Sequence, residues 1–159
     1  MRKIIIAGNW KMYKTITQAI ELANNLKREL CDIREIELAI CPAFICLDQV
    51  SDIICESNIA LGAQNMYCKD EGAFTGEISP LMLKELGCTY VILGHSERRQ
   101  YFAETNEFIN KKVKAYYFLT FRTGKVLIIS KCIQVNFFPF CHYTPPFMFL
   151  LFKNVINFS

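Results

Sequence analysis

A strand–helix beat runs through the first 115 of the 159 residues. Lys3–Ala7 is a compact apolar run rich in β-branched side chains, the pattern of a strand buried on both faces. Ile16, Ile20, Ala23, Leu26 and Leu30 then recur at helical spacing, with Glu21, Lys27 and Arg28 between them. Thr15 or Thr17 can cap the start of that helix, and Lys27 and Arg28 suit the negative end of its dipole. Ile36–Ile40 reads as a second strand, and Phe44, Leu47, Val50 and Ile53 as one face of a second helix. Ile59–Ala63 is a third strand, followed by a long polar loop from Gln64 to Glu77. Ser79-Pro80 opens a helix that Gly87 ends. Tyr90–Leu93 is a fourth strand, and Thr105 caps a helix carrying Phe108, Ile109 and Val113. Four βα units predict an α/β fold with a parallel sheet, either open and doubly wound or part of a (β/α)8 barrel. No glycine-rich phosphate fingerprint follows the first strand, which weighs against a nucleotide-binding open sheet.

Composition changes where the beat stops. All 15 acidic residues lie in 1–115, whereas 116–159 holds four basic residues, no Asp or Glu, and twelve Phe or Tyr. The two parts are therefore read separately, 1–115 as a folded unit and 116–159 as a hydrophobic tail. Tyr116–Phe121 and Lys125–Ile129 are candidate strands within that tail, and His142 has no motif around it. A net charge of +3 gives no reason to expect nucleic-acid binding. Ile4–Ala7 is too short for a signal-peptide core, and no polar-free run reaches membrane-span length. None of the eight cysteines forms a C-x-x-C pair, so zinc is not expected and reduced thiols in the cytoplasm are.

In either parallel architecture, ligand chemistry sits at the carboxyl ends of the strands. Those ends carry Asn9-Trp10-Lys11, Cys41-Pro42, Gln64-Asn65 and Gly94-His95-Ser96-Glu97. Lys11 can hold an anion there, or be a solvated surface lysine. Asn9 can contact substrate, or end its strand through a side-chain turn. A helical turn starting at Ser96 would disfavour imidazolium and keep His95 neutral; the alternative is a satisfied core histidine. Glu97 can act as an acid, base or hydrogen-bond partner, or only pair with an arginine. Phe74 in the 65–79 loop suits a surface that something covers, or a loop folded on its own body.

Taken together, A-G-N-W-K-M at 7–12, G-A-Q-N at 62–65, G-A-F-T-G-E-I-S at 72–79 and I-L-G-H-S-E-R-R at 92–99 resemble triosephosphate isomerase, in family order and spacing through about residue 115. The resemblance implies the N-terminal half of a (β/α)8 barrel. It implies interconversion of dihydroxyacetone phosphate and glyceraldehyde 3-phosphate through an enediolate in glycolysis and gluconeogenesis, without metal or organic cofactor. Asn9 and Lys11 match the substrate-contacting pair. His95 matches the neutral electrophile that polarises the carbonyl and relays protons. Glu97 matches a position that supports the catalytic lysine and proton traffic. Gln64 resembles a residue near the subunit interface, and Thr75 one that reaches toward a partner's site. The implied partners are the triose phosphate and a second subunit, either a homodimer or a full-length isomerase chain engaged by the 65–79 loop.

The tail departs from this pattern. The family's catalytic glutamate, its closing loop and its later phosphate-binding loops have no counterpart past Ala115, and a carboxylate base cannot come from 116–159. Enrichment in Phe, Leu, Ile, Tyr, Asn and Lys without acids is what out-of-frame or intronic AT-rich sequence encodes. Residues 116–159 are accordingly expected to be an aberrant, poorly ordered segment. Four barrel strands alone would leave two open sheet edges; two amphipathic strands from the tail could partly cover an edge without restoring eight-fold closure.

Overall fold

The computed structural model of the protein describes residues 4–119, 125–128 and 148–152. Strand β1 (Ile5–Asn9) leads to helix α1 (Ile16–Glu29), and β2 (Glu37–Cys41) to a 3-10 turn (Phe44–Cys46) and α2 (Leu47–Ile54). Strand β3 (Ile59–Ala63) precedes α3 (Pro80–Glu85); β4 (Tyr90–Leu93) precedes α4 (Ser96–Tyr101) and α5 (Asn106–Leu119). Two further strands follow, β5 (Lys125–Ile128) and β6 (Met148–Phe152). Strands β1 to β4 pair in parallel and in sequence order, and with their helices form a curled half-barrel. This is the first half of the (β/α)8 architecture rather than an open doubly wound sheet.

Local chemistry accounts for the boundaries. Thr15, not Thr17, caps α1: its hydroxyl accepts from the Gln18 amide and the Gln18 side chain accepts from the Thr15 amide, a reciprocal capping box. Thr15→Ala is expected to lower unfolding free energy by about 0.5–1 kcal/mol in urea titrations. Lys27 reaches from α1 to the end of α2, donating to the carbonyls of Ile53 at 2.8 Å and Cys55 at 3.1 Å. Ser79 caps α3, with Pro80 at its first turn and Gly87 beyond its end at φ +77°.

The sheet buries both faces. Leu38, Ile40, Leu61, Ala63, Val91 and Leu93 pack toward the helices, against Ala19, Ala23, Leu47, Val50, Leu83 and Tyr116. Ile5, Ala7, Ala39, Cys41, Tyr90 and Ile92 form the inner face. Gly62 belongs to that face because nothing larger fits: a Cβ there would lie 2.5 Å from Cys41 Sγ. The second helix differs from its expected face. Leu47, Val50 and Ile54 are buried, while Phe44 sits in the 3-10 turn and faces solvent.

One further expectation needs correction. Tyr116–Phe121 is not a strand over its described part, because 116–119 continue α5. Ile109, Lys112, Val113 and Tyr116 share one helical face, and the buried Tyr116 hydroxyl donates to the Thr89 carbonyl at 2.9 Å. Strands from the tail cover both edges of the four-strand sheet. Strand β5 pairs in parallel with β4, and β6 pairs antiparallel with β1, giving the order β5-β4-β3-β2-β1-β6. The expected strand at Lys125–Ile129 is observed over 125–128; Ile129, residues 120–121, His142 and Cys132 and Cys141 lie outside the described residues. Among the described residues, no helix is long and apolar enough to cross a membrane.

Candidate active site

Four consecutive strand ends converge because the strands are parallel and in order. Asn9 closes β1, Cys41 closes β2, Gln64 follows β3, and Gly94-His95 follow β4. Asn9 is buried, and its side-chain oxygen accepts from the Lys11 amide at 3.0 Å. That is the side-chain turn expected of an asparagine at a strand end. It also helps hold Lys11 at φ +53°, in the left-handed region that non-glycine residues avoid. Such a conformation costs about 1–2 kcal/mol and persists where several contacts fix it. Gln64 supplies another of those contacts and ties it to β2. Its amide nitrogen donates to the carbonyls of Lys11 and Cys41, each at 2.8 Å. The Lys11 ammonium then meets Glu97 Oε1 at 2.6 Å.

His95 sits at the other side of this cluster. Gly94 turns the chain out of β4 at φ +68°, where a Cβ would also press within 3.0 Å of Ile109. His95 is buried and caps α4, its Nδ1 accepting from the Glu97 amide at 3.2 Å. A nitrogen that accepts from N–H carries no proton, so the neutral ring bears its hydrogen on Nε2. Burial lowers the His95 pKa below its usual 6.5; the negative charge of Glu97 pulls it up, and the nearby Lys11 ammonium pushes it down. Neutral imidazole is thus favoured both by its surroundings and by the amide that caps onto it.

A pH dependence follows. Between the lowered pKa and 6.5 the unfolded chain binds the proton and the folded chain does not. Stability from this group is therefore complete above 6.5 and is lost as pH falls through the folded value. Urea unfolding from about pH 7.5 to about pH 5 is expected to show this slope. His95→Gln should reduce it, and an identical slope in both proteins would contradict the assignment.

The structure thus brings together Asn9, Lys11, Gln64, His95 and Glu97. Thr75 stands apart, exposed in the 65–79 loop. That loop is folded partly on its own body: Tyr67 stacks on Phe74 with ring centres 4.5 Å apart, and on Phe108 edge-on at 5.8 Å. Phe74 nevertheless remains 39 % exposed.

One charged network beside the site is not apparent from the motifs. Glu104 Oε1 accepts from Arg98 Nε at 2.6 Å and from Lys112 Nζ at 2.7 Å, and Lys112 also donates to Asn65 Oδ1 at 2.9 Å. This network ties the β3 loop and α4, which carries Glu97, to α5. Lys112 is 1 % exposed. Burial alone would raise the Glu104 pKa, but hydrogen bonds and charge from Lys112 and Arg98 outweigh it and hold the carboxyl below its usual value. The sequence signal was a lysine on the apolar face of α5, in register with Ile109 and Tyr116. Among the described residues, no cluster of three or more His, Cys, Asp or Glu could hold a metal ion.

Comparison with known proteins covers the stretch that carries these residues. The triosephosphate isomerase family profile matches positions 4–123. The triosephosphate isomerase of Clostridium tetani is 54% identical over 115 residues, covering 72% of this chain and 45% of the relative. That of Dehalococcoides mccartyi is 57% identical over 115 residues, with the same coverage of 72% and 45%. Among solved structures, a triosephosphate isomerase from Bartonella henselae superposes with a TM-score of 0.73 at 36% identity, over 80% of this chain and 51% of that one. The chain spans about half the length of these relatives.

Proposed function

The chain belongs to the triosephosphate isomerase family, and from that premise we propose that its site serves the interconversion of dihydroxyacetone phosphate and glyceraldehyde 3-phosphate. The observation that carries this reading is the meeting, at one end of the sheet, of a lysine ammonium and a neutral imidazole with its hydrogen on Nε2, both in contact with Glu97. Isomerisation removes a proton from the carbon beside a carbonyl, and the electron pair moves onto the carbonyl oxygen. Two groups here meet that developing charge. His95 Nε2–H donates to the oxygen, and Lys11 offsets the charge of enediolate and phosphate. Asn9 positions Lys11 and contacts substrate, while Glu97 holds the ammonium in place. The same reading puts the chain in glycolysis and gluconeogenesis, in the cytoplasm, paired with a second subunit.

We further propose that the 159-residue chain turns over little or not at all. Lifting the carbon-bound proton needs a base, which the family draws from a later loop, and residues 116–159 contain no Asp or Glu. General acid–base catalysis contributes about 10²–10⁴-fold. The test is a coupled isomerase assay on the purified chain beside His95→Gln. Equal, near-background rates are expected; activity that disappears with the imidazole would overturn the loss of turnover.

A second reading rests on the exposed Phe74 and Thr75: the 65–79 loop docks onto a full-length isomerase subunit. Co-purification with such a subunit that survives deletion of 72–76 would exclude it.

A further inference from the structure

The pairing of β6 with β1 bears on whether this half-barrel can be completed. In a closed (β/α)8 barrel every strand is parallel, so the outer edge of β1 receives the last strand in parallel. Here all five residues of β1 pair with β6 running the opposite way, from Ile5 opposite Phe152 to Asn9 opposite Met148. We propose that residues 148–152 occupy the closure edge of the half-barrel and compete with any second barrel half for β1.

The backbone shows which groups are involved. The Glu37 amide donates to the Ile4 carbonyl at 2.9 Å, and the Trp10 amide donates to the Cys41 carbonyl at 3.1 Å. In a parallel ladder each residue turns both its polar groups to the same neighbour, and successive residues alternate. Ile4, Ile6, Gly8 and Trp10 therefore face β2, and Ile5, Ala7 and Asn9 face the outer edge. With Ala7 opposite Leu150, the three outward residues are those that exchange hydrogen bonds with β6. An incoming parallel strand would need the same three amides and carbonyls, so the two arrangements exclude each other. This inference concerns the backbone edge and stands whether or not the isomerase reading holds.

Amide hydrogen exchange on the full chain tests it. In the unmodified protein the amides of Ile5, Ala7 and Asn9 should be protected, as should those of Ile6, Gly8 and Trp10. Leu150→Pro removes an amide from the middle of β6. It should accelerate exchange at Ile5, Ala7 and Asn9 by at least about tenfold while sparing Ile6, Gly8 and Trp10. Phe149→Pro, at a position whose amide points away from β1, should have the smaller effect. If Leu150→Pro unfolds the whole chain, the unmodified protein decides. Protection of the three outward amides that is independent of protein concentration supports the proposal; unprotected exchange overturns it, as does an unchanged rate in a folded Leu150→Pro. Competition is read separately, by co-expression with the part of the Clostridium tetani isomerase that this chain does not match. The Leu150→Pro chain should capture at least about tenfold more of that fragment than the unmodified chain does. Equal capture overturns the competition.

Discussion

Glu104→Ala lowers the free energy of unfolding by about 3–5 kcal/mol, the range for removing one partner of a buried ion pair. The size follows from what is left behind. Glu104 and Lys112 have side chains only 3% and 1% exposed, and the carboxylate also takes Arg98 at 2.6 Å. Without it, the Lys112 ammonium keeps the amide oxygen of Asn65 and no counter-charge from Glu104. Urea unfolding measures the loss. Adding Lys112→Met should recover a substantial part of it, because the stranded charge goes too, and the double-mutant cycle should show strong coupling. A loss below about 1 kcal/mol, typical of exposed pairs, would mean that water reaches this site. The pH dependence has a definite sign. The Glu104 pKa is lowered on folding, so its stabilisation is present above the ordinary 4.5 and fades as pH falls through the folded value. The double variant should lack that component.

The second large effect is a gain of activity. A chimera carrying residues 1–119 followed by the remaining length of the Clostridium tetani isomerase should exceed the 159-residue chain in kcat/KM by at least about 10²-fold, the lower figure for general acid–base catalysis. In that chimera His95→Gln should cost about 10²–10⁴-fold, because the imidazole then has a base to work with. On the proposed reading the two halves act on one transition state, so either alone would yield little. A folded, monodisperse chimera without activity would show that the Asn9, Lys11, His95 and Glu97 constellation of this chain is not competent.

Much of this was legible in the residues. The four strands and the caps at Thr15, Ser79 and Thr105, whose hydroxyl accepts from the Phe108 amide at 3.2 Å, follow from periodicity and side-chain hydrogen bonding, which act over a few positions. Asn9, Lys11, His95 and Glu97 stood out because a parallel sheet gathers its strand ends. The Glu104–Lys112 network did not, because a buried charge and its partner are brought together by tertiary packing, with only a misplaced lysine on an apolar face to mark it. The helical state of 116–119 is hidden for a related reason. Aromatic residues favour strands in isolation, and packing of Tyr116 against the sheet overrides that preference. The backbone of Lys11 was equally invisible, since no local signal announces a left-handed lysine.

The anchoring of Lys11 has a thermodynamic consequence. A free lysine loses roughly 1.5–2 kcal/mol of rotamer freedom when its ammonium is immobilised on a ligand. Lys11 is already held at both ends, by Gln64 and Asn9 along the main chain and by Glu97 at Nζ. The ordering cost is met at folding, so on the proposed reading an arriving dianion would find its counter-ion in position. Glu97 would then share that cation with the newcomer, so tighter anchoring and tighter anion capture are opposed at this residue.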